Sequence, residues 1–261
     1  CPTCLRAKAA GGKNLRSRSQ ALVDDTLLLD FPPDTYWHMA QGGLELPGIT
    51  ALLLTHSHAD HLYPPDFWAL GQGIAHYGKI GVKRPFPLCV YASAEAVEVI
   101  AHNEHTAKLV DSGVMELHIV QPFIPFAAAD FTVTALRADH DPTAGPFIYC
   151  IARGGKTMLY GNDSGYFPEE TWAYLAKAKP CFHFVSLDCT GMIEDYRRYH
   201  MGLAANTDVK ERLLSLGCAT PETIFCAHHF SHNGRLIHDE LVPVAAEKGF
   251  LASYDGMEIA F

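Results

Sequence analysis

Apolar residues in this chain fall into short dense runs separated by polar turns. QALVDDTLLLD (20–30), ITALLLTH (49–56), PLCVYA (87–92), FTVTALRADH (131–140), PFIYCIARG (146–154), KTMLYGND (156–163), CFHFVSLD (181–188), ETIFCAHH (222–229) and FLASYDGMEIAF (250–261) are rich in aliphatic, β-branched and aromatic residues, the pattern of buried strands. SAEAVEVIAHNEHTAKLVDSG (93–113), PEETWAYLAKA (168–178), TDVKERLLSLG (207–217) and GRLIHDELVPVAAEKG (234–249) space their apolar positions as helices do. Strands come in runs as well as alternating with helices, so the expected class is α/β (α+β), sheets covered outside by helices. No repeat, Ser/Gly linker or low-complexity tract interrupts the chain, and a single domain over 1–261 is the simplest organisation. Segments 71–86 and 121–130, rich in Gly, Pro and aromatics, are expected to be surface loops over a site.

Composition narrows the function. The formal charge is −9 and no long basic run occurs, which argues against a general nucleic-acid partner, since phosphate backbones are held by clustered Lys and Arg. KNLRSR, with Lys13, Arg16 and Arg18, reads as a solvated loop. No apolar stretch reaches the roughly 18 residues a spanning helix needs, so no membrane partner is expected. The eight cysteines are scattered apart from CPTC at the start; in a chain this long they read as thiols or metal ligands, which suggests a reducing, cytoplasmic compartment. The chain opens at Cys1 instead of Met, so an upstream segment with a first strand, or a targeting peptide, is expected outside it.

The chemistry concentrates in THSHADHLYP (55–64). His56 and His58 are two apart and share one side of an extended segment, and Asp60 and His61 follow in a turn. Imidazole nitrogens and carboxylates are ligands of borderline divalent metals, and four donors in one turn cannot easily share one ion. A pair of metals follows, and it needs more donors from other strand ends. His140 ends FTVTALRADH, Asp163 enters a turn next to Gly161 and Gly165, and ETIFCAHHFSH supplies His228 or His229.

Together these residues resemble the metallo-β-lactamase superfamily, whose motifs run through the chain in this order. The resemblance implies an αββα sandwich of two mixed sheets with helices outside. It assigns His56, His58 and His140 to one metal, Asp60, His61 and His229 to the other, and Asp163 to the bridge. His229 is preferred over His228 because the family's ligand precedes a short x-Ser-x stretch, here HFSH; His228 then becomes a packed neighbour. Asp30, ending TLLLDF, matches a family carboxylate that orients a ligand histidine. Asp188 and Thr190 in SLDCTG end a strand at the same sheet edge and belong to the same supporting layer.

Cys1 and Cys4 have the spacing of a zinc half-site, and His232 lies three residues after His229. The pairing is similar to the PhnP-type phosphodiesterases of the carbon–phosphorus lyase pathway, where such residues bind a structural zinc. That zinc would tie the N-terminal loop to the floor of the active site, its fourth ligand being a cysteine upstream of Cys1. His200 in YRRYHMGL resembles a pocket histidine of the same enzymes that touches substrate phosphate. His102 and His105 read as a solvated helix face.

The resemblance implies a dinuclear metal-dependent hydrolase, a phosphodiesterase acting on a small or cyclic phosphodiester. The nucleophile would be a metal-held hydroxide, with Asp60 taking or orienting its proton and His200 stabilising the phosphoryl oxygens or protonating the leaving alkoxide. Two ions, Zn or Mn with Fe also suited, and one structural Zn are the implied cofactors. A small phosphorylated substrate is the implied partner; a homodimer is left open. His58 argues against the flavo-diiron oxidoreductases, which carry Glu there, and Asp163 against β-lactam hydrolases, which usually lack that residue. The RNA 3′-processing nucleases share the ligands but use a basic arm not seen here. Thioesterases and lactonases of the fold stay open, and a non-enzymatic metal-binding relative would have lost ligands, of which none is missing.

Overall fold

Strands buried on both faces need unbroken apolar runs, and β2 (Leu27–Leu29) and β3 (Ala51–Leu53) are buried at every residue. They belong to the computed structural model of the chain, which describes residues 1–71 and 87–261. The loop expected at 71–86 therefore lies, apart from Gly71, outside the described residues. The chain divides into two compact units. Arg18–Phe131 with Thr143–Phe147 forms one, here the N-sheet unit; Cys1–Ser17, Thr132–Pro142 and Ile148–Phe261 form the other, the C-sheet unit.

In the N-sheet unit the order is β1 (Ala21–Val23), β2, β3, β4 (Leu88–Ala92) and β5 (Met115–Ile119). β1 pairs antiparallel with β2, and β2 through β5 run parallel, so the sheet is mixed. The run 20–30, read as one strand, is a hairpin: Asp24 and Asp25 take left-handed φ of 45° and 59° and reverse the chain between β1 and β2. Leu28, Leu52, Leu54, Val90, Ile100, Leu109 and Met115 share one core. The stretch 93–113, read as one helix, is two, α3 (Ala94–Ala101) and α4 (Glu104–Asp111), preceded in the chain by α2 (Thr35–Gln41). The break has a local cause, because the Asn103 side chain accepts from the His105 and Thr106 N–H groups at 3.1 and 3.2 Å and caps α4. His102 and His105 are both exposed, as expected. The segment 121–130 is not loop throughout but carries β6 (Pro125–Ala128).

In the C-sheet unit β12 (Leu251–Ala252), β11 (Ile224–His228), β10 (Phe184–Asp188), β9 (Lys156–Gly161), β8 (Phe147–Arg153) and β7 (Phe131–Arg137) follow in that order, the greater part of a seven-stranded sheet. β8 and β9 are antiparallel while β9 through β12 are parallel, so this sheet too is mixed. Leu187 pairs with Gly161 and Asp188 with His228, which brings β9, β10 and β11 to an end at one edge. The carboxyl edge of parallel strands is where open α/β sheets collect ligand-binding side chains. Only Leu251 and Ala252 of the expected last strand are in the ladder. The N-terminal segment is not a loop but α1 (Pro2–Ala10), with Pro at its first helical position. It is held by Thr3 Oγ1 and Arg6 donating to the Arg235 carbonyl at 3.4 and 2.7 Å, and by Arg6 pairing with both Glu240 oxygens. α5 (Glu169–Ala178), α6 (Leu203–Leu216) and α7 (His238–Glu247) complete the unit. Among the described residues no helix is long and apolar enough to cross a membrane.

Asn103→Ala removes the cap that separates α3 from α4. It should cost about 1 kcal/mol of unfolding free energy with the denaturant slope unchanged; an unchanged midpoint would show that the break has another cause.

Candidate metal centre

The segment after β3 presents its histidines through a buried carboxylate. Asp30, fully buried just past β2, accepts from the Thr55 N–H (2.8 Å), from the Thr55 hydroxyl (2.9 Å) and from His61 Nδ1 (2.8 Å). An ionised carboxylate only accepts, so the His61 proton sits on Nδ1 and the ring's lone pair on Nε2. Thr55 gives its hydroxyl hydrogen to Asp30, so its oxygen accepts from His56 Nδ1 at 3.0 Å, which fixes the same tautomer in His56. The His56 ring lies 4.6 Å from that of His58 and 4.4 Å from that of His61. Asp60, half-exposed, has Oδ2 3.8 Å from His61 Nε2. The turn is pinned beside Asp30, where Phe31 N–H donates to the His61 carbonyl at 2.7 Å.

The C-sheet unit repeats the device. Asp188, fully buried at the end of β10, accepts from the Met201 and Thr190 N–H groups (2.8 and 3.1 Å) and from the Thr190 hydroxyl (3.0 Å). Its Oδ2 is 3.1 Å from both His200 Nδ1 and His229 Nδ1. Asp163 Oδ1 lies 3.2 Å from the same two nitrogens. His229 Nδ1 is also 2.8 Å from Thr190 Oγ1, and the two imidazoles are stacked with centroids 5.7 Å apart. His140 Nδ1 donates to the Tyr199 carbonyl at 3.0 Å, and its ring stands edge-on to His200 at 5.1 Å. Ligand atoms of Asp163, Asp188, His200 and His229 all lie within 4.8 Å of one another. Burial alone would raise the Asp188 carboxyl, but hydrogen bonds from His200 and His229 hold it below the ordinary range. Burial likewise disfavours a charged His200, yet its hydrogen bonds to Asp163 and Asp188 push the imidazole up to about 10.

His228, one residue before His229, is the last residue of the β11 ladder and packs on Tyr160 with its Nδ1 3.4 Å from Ser186 Oγ. Beyond it the chain turns left-handed at His229, φ 60°. Cys1, Cys4 and His232 form a separate group of donors on the C-sheet unit, with Cys4 Sγ 3.4 Å from His232 Nδ1. Within each unit, then, the residues expected at the site are adjacent: Asp30, His56, His58, Asp60 and His61 in one, His140, Asp163, Asp188, His200 and His229 in the other. Sequence reasoning gave no role to Thr55 or Tyr199. The first stands directly before the histidine motif, which is a readable signal; the second acts through a backbone carbonyl and leaves none.

A family model described as the beta-lactamase superfamily domain matches residues 27–230, and the chain belongs to that superfamily. Solved structures share the fold at low identity. Zn²⁺-bound PqqB from Methylobacterium extorquens is 17% identical over 100% of this chain and 93% of its own, with a TM-score of 0.72. A diphosphatase from the PhnP family is 18% identical over 94% and 83%, TM-score 0.66. The short form of human tRNase Z is 16% identical over 94% and 92%, TM-score 0.61. The PhnP-type likeness is thus one among several. No curated protein matches the chain.

Folding raises the His200 pKa in the metal-free protein above its ordinary 6.5. The stabilisation it contributes is therefore complete below that value and is lost as pH rises through about 10. His200→Ala should lower the melting temperature of metal-free protein clearly at about pH 6 and much less at about pH 10.5. Equal losses at both would assign the effect to packing.

Proposed function

We propose that the chain is a metal-dependent hydrolase, a phosphodiesterase for a small phosphodiester, with His56, His58, Asp60, His61, His140, Asp163 and His229 as ligands of two divalent ions. The observation that carries the reading is the common tautomer. His56, His61, His140 and His229 each have Nδ1 against a hydroxyl, carboxylate or carbonyl oxygen, which places the lone pair on Nε2. Metal-binding histidines are oriented in this way, the far nitrogen donating to an oxygen and the near one facing the ion. Carboxylates of Asp60 and Asp163 add hard oxygen donors, so the set fits Zn, Mn or Fe.

Bound there, two ions would lower the pKa of a water and neutralise the non-bridging oxygens of a phosphodiester. The chain's own groups supply the rest. Asp60, half-exposed beside His61, is placed to accept or orient the proton of the attacking water. His200, its Nδ1 3.1 Å from the buried Asp188 Oδ2, would present its other N–H to a phosphoryl oxygen or to the leaving alkoxide. A net charge of −9 speaks against nucleic acid as a partner, and a small phosphorylated substrate remains compatible with it because ions held by these ligands would supply local positive charge. Cys1, Cys4 and His232 are proposed as ligands of a structural zinc that fixes α1 to the unit.

Metal-stripped protein should hydrolyse bis(p-nitrophenyl) phosphate only after Zn²⁺ or Mn²⁺ is restored. Asp60→Ala should lower kcat by about 10²-fold or more while the fold is kept. No turnover with metal counted in place would move the reading to thioester or lactone substrates. Cys4→Ala should remove about one zinc per chain and lower thermal stability more than kcat per folded molecule; unchanged zinc content would remove the structural site.

A further inference from the structure

The segment EDYRRYH (194–200) forms a rim on the C-sheet unit beside the candidate ligands. Tyr166 N–H donates to the Arg197 carbonyl and Gly165 N–H to the Asp139 carbonyl, both at 2.8 Å. A Cβ at Gly165 would lie 2.7 Å from the Arg197 carbonyl oxygen and 2.8 Å from Arg198 Cα, so only glycine lets the rim rest on the turn that carries Asp163. Tyr199 has a left-handed φ of 62°, a conformation bulky side chains avoid. That backbone aims its N–H at Asp139 Oδ2 (3.4 Å) and its carbonyl at His140 Nδ1 (3.0 Å), and leaves the ring half-exposed.

The cations of this rim are not equivalent. Arg197 is taken by Asp195 and Asp208 at 2.8 and 2.6 Å, and the neighbouring Arg235 by Glu194 at 3.1 Å. Arg198 is exposed and has no ion pair among the described residues; its guanidinium lies 5.6 Å from the centre of the Tyr199 ring. Residues 72–86 contain neither Asp nor Glu. On an acidic chain the one arginine of the rim without a carboxylate thus stands a residue away from the carbonyl that holds His140. A guanidinium resting on an aromatic face keeps its donor fork available for an oxyanion.

We infer that Arg198 is a specificity-determining residue that binds a second anionic group of the substrate, a phosphate or carboxylate lying outside the scissile diester. The inference rests on the phosphodiesterase reading. Three p-nitrophenyl phosphodiesters test it, with ethyl, carboxymethyl or 2-phosphoethyl as the other ester. The metal-loaded protein should favour one or both charged esters over the ethyl ester in kcat/KM, and the ranking of the two names the anion. Arg198→Ala should lower that preference ratio about tenfold or more, mainly through KM; Arg198→Lys should restore part of it and Arg198→Glu reverse it. A preference that survives Arg198→Ala, or an equal fall for all three esters, overturns the inference. Calorimetric binding of the same esters separates the two readings. Arg198-dependent preference in binding without turnover upholds this inference and sinks the phosphodiesterase; turnover without that preference does the reverse, and neither binding nor turnover overturns both.

Discussion

A carboxylate removed from water must be given donors, and Asp30 and Asp188 obtain theirs in the same way. Each sits at the end of a buried strand, takes one or more backbone N–H groups and the hydroxyl of a nearby threonine, and finishes its shell with imidazole. The donors that make the buried charge tolerable are the same groups whose tautomer the charge then sets. Stability and site chemistry cannot be separated here: a histidine lost from either cluster leaves an undersolvated carboxylate as well as a missing donor. The two halves of the chain reach this solution with unrelated local sequences, DF…TH in one and DCT…HH in the other.

What the sequence disclosed follows from how local each feature is. Strands buried on both faces announce themselves, as LLL at 27–29 and ALL at 51–53 do. α1 and α2 did not, because each buries only one residue, Thr3 and Thr35, and has no apolar stripe to read. The helix break at Asn103 was hidden for the opposite reason: apolar residues continue on both sides of it, and only the cap geometry divides them. Within the site, His56 through His61 are contiguous and legible. Asp163, Asp188 and His229 are legible as strand ends, because the parallel register of β9, β10 and β11 brings those ends to one edge. Thr55 could have been found and was not, while the Tyr199 carbonyl could not have been, since a backbone acceptor looks the same under any side chain.

Four of the eleven non-glycine residues with positive φ among the described residues lie at these positions. Asp30, Asp163, Tyr199 and His229 all take left-handed φ, between 45° and 64°. Such residues cost on the order of 1–3 kcal/mol each and persist where the surroundings over-determine them. Here the hydrogen bonds of the Asp30 and Asp188 clusters supply that determination.

The register of β10 and β11 adds one more consequence. His228 and His229 are chemically identical neighbours, yet the ladder ends on one and turns on the other, so one packs on Tyr160 and the other meets Asp163. The address of the second is its distance from the end of the strand, not its side chain. An alignment that slides this pair by a single position would preserve histidine against histidine while matching a half-buried packing residue to a candidate ligand, and identity at that column would conceal the error.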